Sequence, residues 1–394
     1  MTRGRAEAAL AGVSPSRPAS SPERGAVRWL AALALLLLGA APEPPLRVIV
    51  IDVEGGTATL YITPHRHSLL IDAGWPTGMG GGAEASAARI VATARAQRLA
   101  RIDTLIVTHY HVDHVGGAIE LLRTFPVGEV VDHGPNRELA GEGTTPDAAA
   151  PAILYPAYLT AIGARPHRVM RAGDSFRVDA LTVTAVSGDG AVIARPLAEA
   201  GAAHAECGAA PSGADVGGEE NPRSLGVVLT YGRARVLSLG DTTWNKEVEL
   251  VCPRDRIGPV DMMLSDNHGS GNGNAPALID TVQPRVVVVA NGRTKGAASS
   301  TFDTVSASPR LAALWQLHFA ERSHASNTAP ERIANPAGAA DAGHPLQYCH
   351  QPAHRRARDL RPLTPYSPTT ARRTCWRCSP SPSMPSVMTS PHFK

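Results

Sequence analysis

Three imidazoles and a carboxylate, His109, His111, Asp113 and His114, crowd into one short run, Thr108-His109-Tyr110-His111-Val112-Asp113-His114. With His109 and His111 two apart at the end of a strand, both rings can point at one cation. Asp113 and His114, on the turn that follows, then face a second. Neutral imidazoles and a carboxylate suit zinc, with manganese and iron as alternatives, and a divalent ion so held lowers the pKa of its water to about 7. The chemistry implied is metal-assisted hydrolysis at neutral pH. A His-rich surface loop is the competing explanation, and the setting of the run, between an aliphatic strand and Gly116-Gly117, argues against it.

The elements around that run must deliver it to an edge. Arg47 to Val53, Thr57 to Ile62 and Ser68 to Asp72 are β-branched and aliphatic stretches separated by Gly, Pro and His, and they predict consecutive strands. Ala83 to Ala100 has helical spacing, and Asp103 to Val107 is a buried strand that ends in the His-rich run. A helix over Val115 to Thr124, a strand over Glu129 to Asp132 and a helix over Ala148 to Ile162 continue the alternation. Ser175 to Val186 favours β structure, and Leu197 to Arg223 is a polar surface excursion. Leu225 to Tyr231 and Ala234 to Leu239 form a hairpin about Gly232-Arg233. Met262 to Leu264 and Arg285 to Ala290 are the last strands, with a helix over Ala275 to Val282 between them. Trp315 to His318 is expected on a helix with Leu311 and Leu314, which puts Trp315 in the core.

The run His109, His111, Asp113, His114 matches in full the HxHxDH signature of the metallo-β-lactamase superfamily, and the chain resembles that family over roughly residues 46–327. Leu70-Ile71-Asp72-Ala73-Gly74 is similar to its first motif, in which Asp72 would hold the metal loop by hydrogen bonding. Leu237-Ser238-Leu239-Gly240-Asp241 is similar to a later strand-end motif, in which Asp241 would bridge two metals, and Asn267-His268-Gly269-Ser270 to the last one, in which His268 would bind the second. Two further stretches, Ile51 to Ala58 and Asn221 to Leu225, resemble the soluble domain of ComEC-type competence proteins, where an Asn stands in place of a third-motif His. That fits Asn221 and leaves the first metal one imidazole short. The resemblance implies a four-layered αββα sandwich with two mixed β-sheets, two divalent metal ions, and hydrolysis by metal-bound hydroxide oriented by Asp113 or Asp241. Beside it stand two residues read from position alone. His133 ends a strand where it could complete the first metal shell, contact substrate or simply be a hydrogen-bonded loop histidine. Lys295, in Asn291 to Gly296, offers a cation to an anionic group or lies in a solvated turn.

Composition bounds the partners. Lys plus Arg number 38 against 35 for Asp plus Glu, which excludes a broad nucleic-acid-binding surface and leaves a small-molecule or phosphodiester substrate. A phosphodiester or similar anionic ester is the first expectation; a β-lactam or lactone, and a non-catalytic binding protein of the same fold, are the alternatives. Residues 1–41 contain the apolar run Trp29 to Leu38 after Arg28 and before Gly39-Ala40-Ala41, which reads as a signal peptide for periplasmic or secreted export, or as an N-terminal anchor. Export permits disulfides, and Cys207 with Cys252 is the expected pair. From residue 345 to 394 one acidic residue, Asp359, faces eight Lys or Arg among many prolines, so this stretch is expected to be disordered or out of frame and to pack no core.

Overall fold

Alternation of buried side chains along each strand shows how the layers stack. In the computed structural model, Val48 and Val50 join one apolar cluster while Ile49 and Ile51 join another; Val286 and Val288 divide from Val287 and Val289 in the same manner. A strand with apolar residues on both faces must be covered on both. The structure describes residues 45–80, 84–139, 147–204, 207, 218–322, 324–338, 343, 345–350 and 364–365. The expected leader over 1–41 lies outside them, as does most of the 345–394 tail. Among the described residues no helix is long and apolar enough to cross a membrane.

The first sheet takes β1 (Leu46–Val50), β2 (Thr59–Ile62), β3 (Ser68–Ile71), β4 (Ile102–Ile106), β5 (Val127–Asp132) and β6 (His167–Val169) in chain order. The second begins with β7 (Ser175–Val178) and β8 (Leu181–Ala185), and β9 (Ser187–Gly188) pairs with β10 (Ala191–Val192) as a separate ribbon. Next to β8 comes β11 (Val227–Tyr231), then β12 (Ala234–Ser238), β13 (Met262–Leu264), β14 (Val286–Val289), β15 (Ala313–His318) and β16 (Ile333–Asn335). The chain returns to the first sheet through β17 (Leu346–His350), antiparallel to β1, and β18 (Thr364–Pro365). Both sheets are mixed: β3 through β6 and β12 through β16 run parallel, and the remaining pairings are antiparallel.

Helices α1 (Ser86–Ala96), α2 (Val112–Thr124) and α3 (Pro151–Ile162) cover the outer face of the first sheet, burying Ile90, Leu121 and Tyr158 with Leu70 and Leu105. Helices α4 (Trp244–Val251), α5 (Pro276–Val282) and α6 (Ser299–Ser306) do the same for the second, with Leu250, Leu278 and Phe302 against Val287 and Leu237. Between the sheets Val48, Ile71 and Val131 meet Val183, Val236 and Val288. The result is the expected four-layered αββα sandwich.

Two expectations are corrected. Leu311, Leu314, Trp315 and His318 have helical spacing, yet 313–318 is strand β15, parallel to β14. Trp315 and Leu317 face the inter-sheet core and Leu314 the helical layer, a two-faced strand whose apolar positions coincide with an i, i+3, i+4 pattern. The core also continues beyond 345, because Leu346 and Tyr348 are fully buried between the sheets. A five-residue strand is too short to register against the polar composition that follows it.

Because β1, β3, β4 and β5 are parallel to one another, as are β12 through β15, their carboxyl ends gather at one edge of the sandwich, where clefts of α/β sheets form. A buried clamp locks the two sheets there. His318 Nε2, at the end of β15, lies 2.7 Å from Asp52 Oδ1 and 3.3 Å from Glu54 Oε2, just past β1. Arg89 Nη1 donates to both carboxylates at 3.2 Å, and Asn335 Nδ2 donates to Asp52. Burial opposes the charge on His318, but the hydrogen bond to Asp52 and the charges of Asp52 and Glu54 outweigh it and raise its pKa. A raised folded-state pKa means this stability is fully present below the unfolded value of about 6.5 and is lost as pH rises through the folded value. His318→Gln is therefore expected to cost about 1–3 kcal/mol at pH 6 and less at pH 9. Urea denaturation of both proteins at the two pH values checks this; a pH-independent difference contradicts it.

Candidate metal centre

The centre is built on Asp72, which leaves β3 with a left-handed backbone (φ 58°), a conformation that Asp tolerates better than most residues. Its carboxylate accepts the Thr108 N–H at 2.7 Å and the Thr108 hydroxyl at 2.8 Å, and its Oδ2 lies 2.8 Å from His114 Nδ1. The Nδ1 proton is thereby committed to Asp72, and His114 Nε2 is the ring atom left facing the cleft.

Around that nitrogen the other groups converge. His114 Nε2 lies 3.4 Å from Asp113 Oδ2, 3.2 Å from Asp241 Oδ1 and 3.3 Å from His268 Nε2. His268 Nε2 is 2.9 Å from Asp113 Oδ2 and 3.3 Å from Asp241 Oδ2. Asp113, His114, Asp241 and His268 each offer one ligand atom, all within 4.8 Å of one another, and all four residues are buried. Asp241 follows β12; His268 lies in the short turn Asp266–Gly269 after β13 with φ 55° and turns its Nδ1 to Ala290 O at 3.3 Å, so that its Nε2 also points inward. Gly296 permits this approach, since a Cβ there would sit 2.0 Å from His268 O.

Electrostatics fit a cation. Burial alone would push the Asp113 and Asp241 carboxyls up, yet Lys295 and His114 hold Asp113, and His268 and His114 hold Asp241, well below the usual carboxylate range. Burial opposes charge on His114 as well, but Asp241, Asp113 and Asp72 drive its pKa well above the ordinary value. Asp241 Oδ1 is buried and ion-paired to His114 Nε2 at 3.2 Å. Two buried carboxylates and two imidazoles whose ligand atoms converge are a donor set that a divalent ion satisfies, the ion taking the place of the protons those carboxylates draw onto the rings.

The other pair is less complete. His109 Nε2 lies 3.0 Å from His111 Nδ1, with His109 Nδ1 near the Thr108 hydroxyl and His111 Nε2 3.3 Å from Glu138 Oε2. Burial and the neighbouring His114 and His111 keep His109 well below its usual pKa and hence neutral, as a ligand must be. Asn221 lies in the turn Asn221–Arg223, buried with its Oδ1 unpartnered, and that turn is joined to the metal loop by Leu225 N–H to Thr108 O at 2.8 Å. No third His, Cys, Asp or Glu completes a cluster with His109 and His111 among the described residues.

Lys295 forms an ion pair with Asp113 and stands 5.1 Å over the Trp75 ring. His133 lies behind the loop: its Nε2 is 3.1 Å from Glu220 Oε2, which also accepts the Tyr110 N–H at 3.2 Å, while Glu220 Oε1 accepts the Arg137 N–H. Of the readings open for His133, the hydrogen-bonded one describes its contacts. Glu138 and Glu220 escaped the sequence reading because a lone Glu in a loop carries no spacing signal. Cys207 and Cys252 are joined, Cα to Cα 5.8 Å.

Two outcomes follow. Asp72→Ala should keep the fold yet weaken metal binding by roughly 10- to 100-fold, because Thr108 and His114 lose their anchor; calorimetric titration of the apo-protein measures it, and unchanged affinity contradicts the role. Titration of the wild type should resolve unequal sites, the tighter lost in His268→Ala and the weaker in His109→Ala; two equal sites would contradict the inequality of the donor sets.

A sequence model of the metallo-beta-lactamase superfamily matches residues 51–290, a span that contains every residue of both groups of donors. No curated protein matches. Among solved structures, a CmlA beta-hydroxylase mutant is 17% identical, with a TM-score of 0.41, and the match covers 75% of this chain and 57% of that one, so this chain spans little more than half the length of the hydroxylase. A second solved structure, of CmlA, a diiron beta-hydroxylase from Streptomyces venezuelae, is 18% identical with a TM-score of 0.36, covering 61% of this chain and 44% of that one. The metallo-beta-lactamase fold protein YhfI from Bacillus subtilis is 12% identical, TM-score 0.39, covering 72% of this chain and 98% of its own. A metallo-beta-lactamase mutant from Cronobacter sakazakii is 18% identical, TM-score 0.32, covering 49% and 60%.

Proposed function

Since the chain belongs to the metallo-beta-lactamase superfamily, we propose that it is a metal-dependent hydrolase acting on a phosphodiester or similar anionic ester. The observation that carries this reading is the convergence of Asp113, His114, Asp241 and His268 within 4.8 Å. Divalent ions at such a centre, zinc first, supply Lewis acidity that polarises the ester oxygen and acidifies water. The protein's own groups do the rest. Asp241, buried and held ionised by His268 and His114, accepts from the attacking water and orients it. Asp113, held ionised, shares that task. Asp72 keeps the His114 ring from turning, so the geometry costs nothing to reorganise during reaction.

Lys295 supports the choice of an anionic substrate. Its ammonium is part-exposed and lies beside Asp113 at the cleft, where it can exchange that partner for a substrate oxygen while the Trp75 face retains the cation. A β-lactam or lactone carries a carbonyl in the same role, and a β-lactam also carries a carboxylate, so the two classes must be separated by assay. The unpartnered Asn221 favours a second reading, a binding protein with one metal and no turnover. The leader sequence supports export to the periplasm or medium.

The test is hydrolysis of bis(4-nitrophenyl) phosphate, a β-lactam and a neutral ester by metal-loaded protein. Phosphodiester turnover abolished in Asp113→Ala supports the proposal; bound metal with no turnover of any substrate supports the binding protein. Lys295→Met, with metal content verified, is expected to raise KM for the phosphodiester tenfold or more, equivalent to about 1.4 kcal/mol, and to leave the neutral ester within a few-fold. Equal loss on both would remove Lys295 from substrate recognition.

A further inference from the structure

We propose that His204, Cys207 and Cys252 form a separate, thiol-dependent site for a soft divalent cation such as zinc, available when the Cys207–Cys252 bond is reduced. His204 Nδ1 lies 3.8 Å from Cys207 Sγ and 3.9 Å from Cys252 Sγ, and the three ligand atoms fall within 4.8 Å of one another. Cys207 is exposed and the other two are half-buried, so an ion and a reductant both have access. Two thiolates and one imidazole are a recognised three-ligand set for zinc, with a fourth position left to water.

The site survives loss of the sulfur bond because its backbone is tied independently. The segment ending at His204 runs against the chain after Cys252 through Leu197 N–H to Arg256 O, Gly201 N–H to Asp255 O, Asp255 N–H to Ala202 O and His204 N–H to Pro253 O, at 2.9 to 3.0 Å. Cys252 itself caps α4 through its N–H to Val248 O at 2.8 Å. His204 and Cys252 are therefore held without the sulfur bond, and Cys207 lies three residues from His204 in sequence.

The chemistry balances simply. A dithiol reductant gives two electrons and two protons to the Cys207–Cys252 bond, which breaks into two thiols while the reductant becomes its own disulfide. The cation then displaces both thiol protons, which pass to the buffer, and binds two thiolates and the neutral His204 ring. The ion takes over the staple between the polar excursion and the end of α4.

The test uses full-length protein in which Cys349, Cys375 and Cys378 are replaced by Ser, so that no other thiol binds, with the hydrolase centre already loaded. Co2+ is titrated in anaerobic buffer before and after reduction and removal of the reductant. The expected result is one additional equivalent in the reduced protein only, with thiolate-to-cobalt charge-transfer absorption. Cys252→Ser should abolish that absorption, and His204→Ala should weaken binding tenfold or more. The hydrolase centre has no sulfur ligand, so the absorption reports this site alone and is unaffected if the hydrolase reading fails. Equal uptake by oxidised and reduced protein, absence of the absorption, or undiminished affinity in His204→Ala would each overturn the proposal.

Discussion

The hold of Asp72 on the metal loop is the constraint from which the rest of the centre follows. One buried carboxylate binds the Thr108 backbone, the Thr108 hydroxyl and the His114 ring, and so fixes both the path of the loop and the direction in which His114 Nε2 points. It can do so only because β3 and β4 are parallel neighbours whose carboxyl ends coincide. The same edge receives Asp241, His268 and Lys295 from the second sheet, so the two sheets meet chemically along one line. The His318 clamp onto Asp52 and Glu54 fixes that line from the side.

Such a centre gathers carboxylates out of water, which is costly unless positive charge completes it. Lys295 supplies part of that charge in the structure through its ion pair with Asp113. Within the family the chain belongs to, this local arrangement, not the fold, carries the argument for an anionic substrate.

Much of this was legible in the residues. The HxHxDH run, Asp72, Asp241 and His268 each follow a strand whose period-2 or fully aliphatic pattern is clear, so motif and element supported each other. Trp315 is in the core as expected but on a strand, because a strand buried on both faces places apolar residues side by side, and Leu311, Leu314 and Trp315 then mimic helical spacing. Leu346 and Tyr348 were missed because a strand held by long-range pairing with β1 leaves little local signal. Glu138 and Glu220 were illegible for a related reason: each acts on a histidine far away in sequence, and only the fold brings them together.

The central claim is that Asp113, His114, Asp241 and His268 hold a divalent ion together. Anomalous diffraction at the zinc edge from crystals of the zinc-loaded protein tests it most directly. The account predicts a peak among these four side chains at full occupancy, with a weaker peak or none beside His109 and His111. A sole peak at His109 and His111, or no ordered metal at the edge where the strands end, would contradict it.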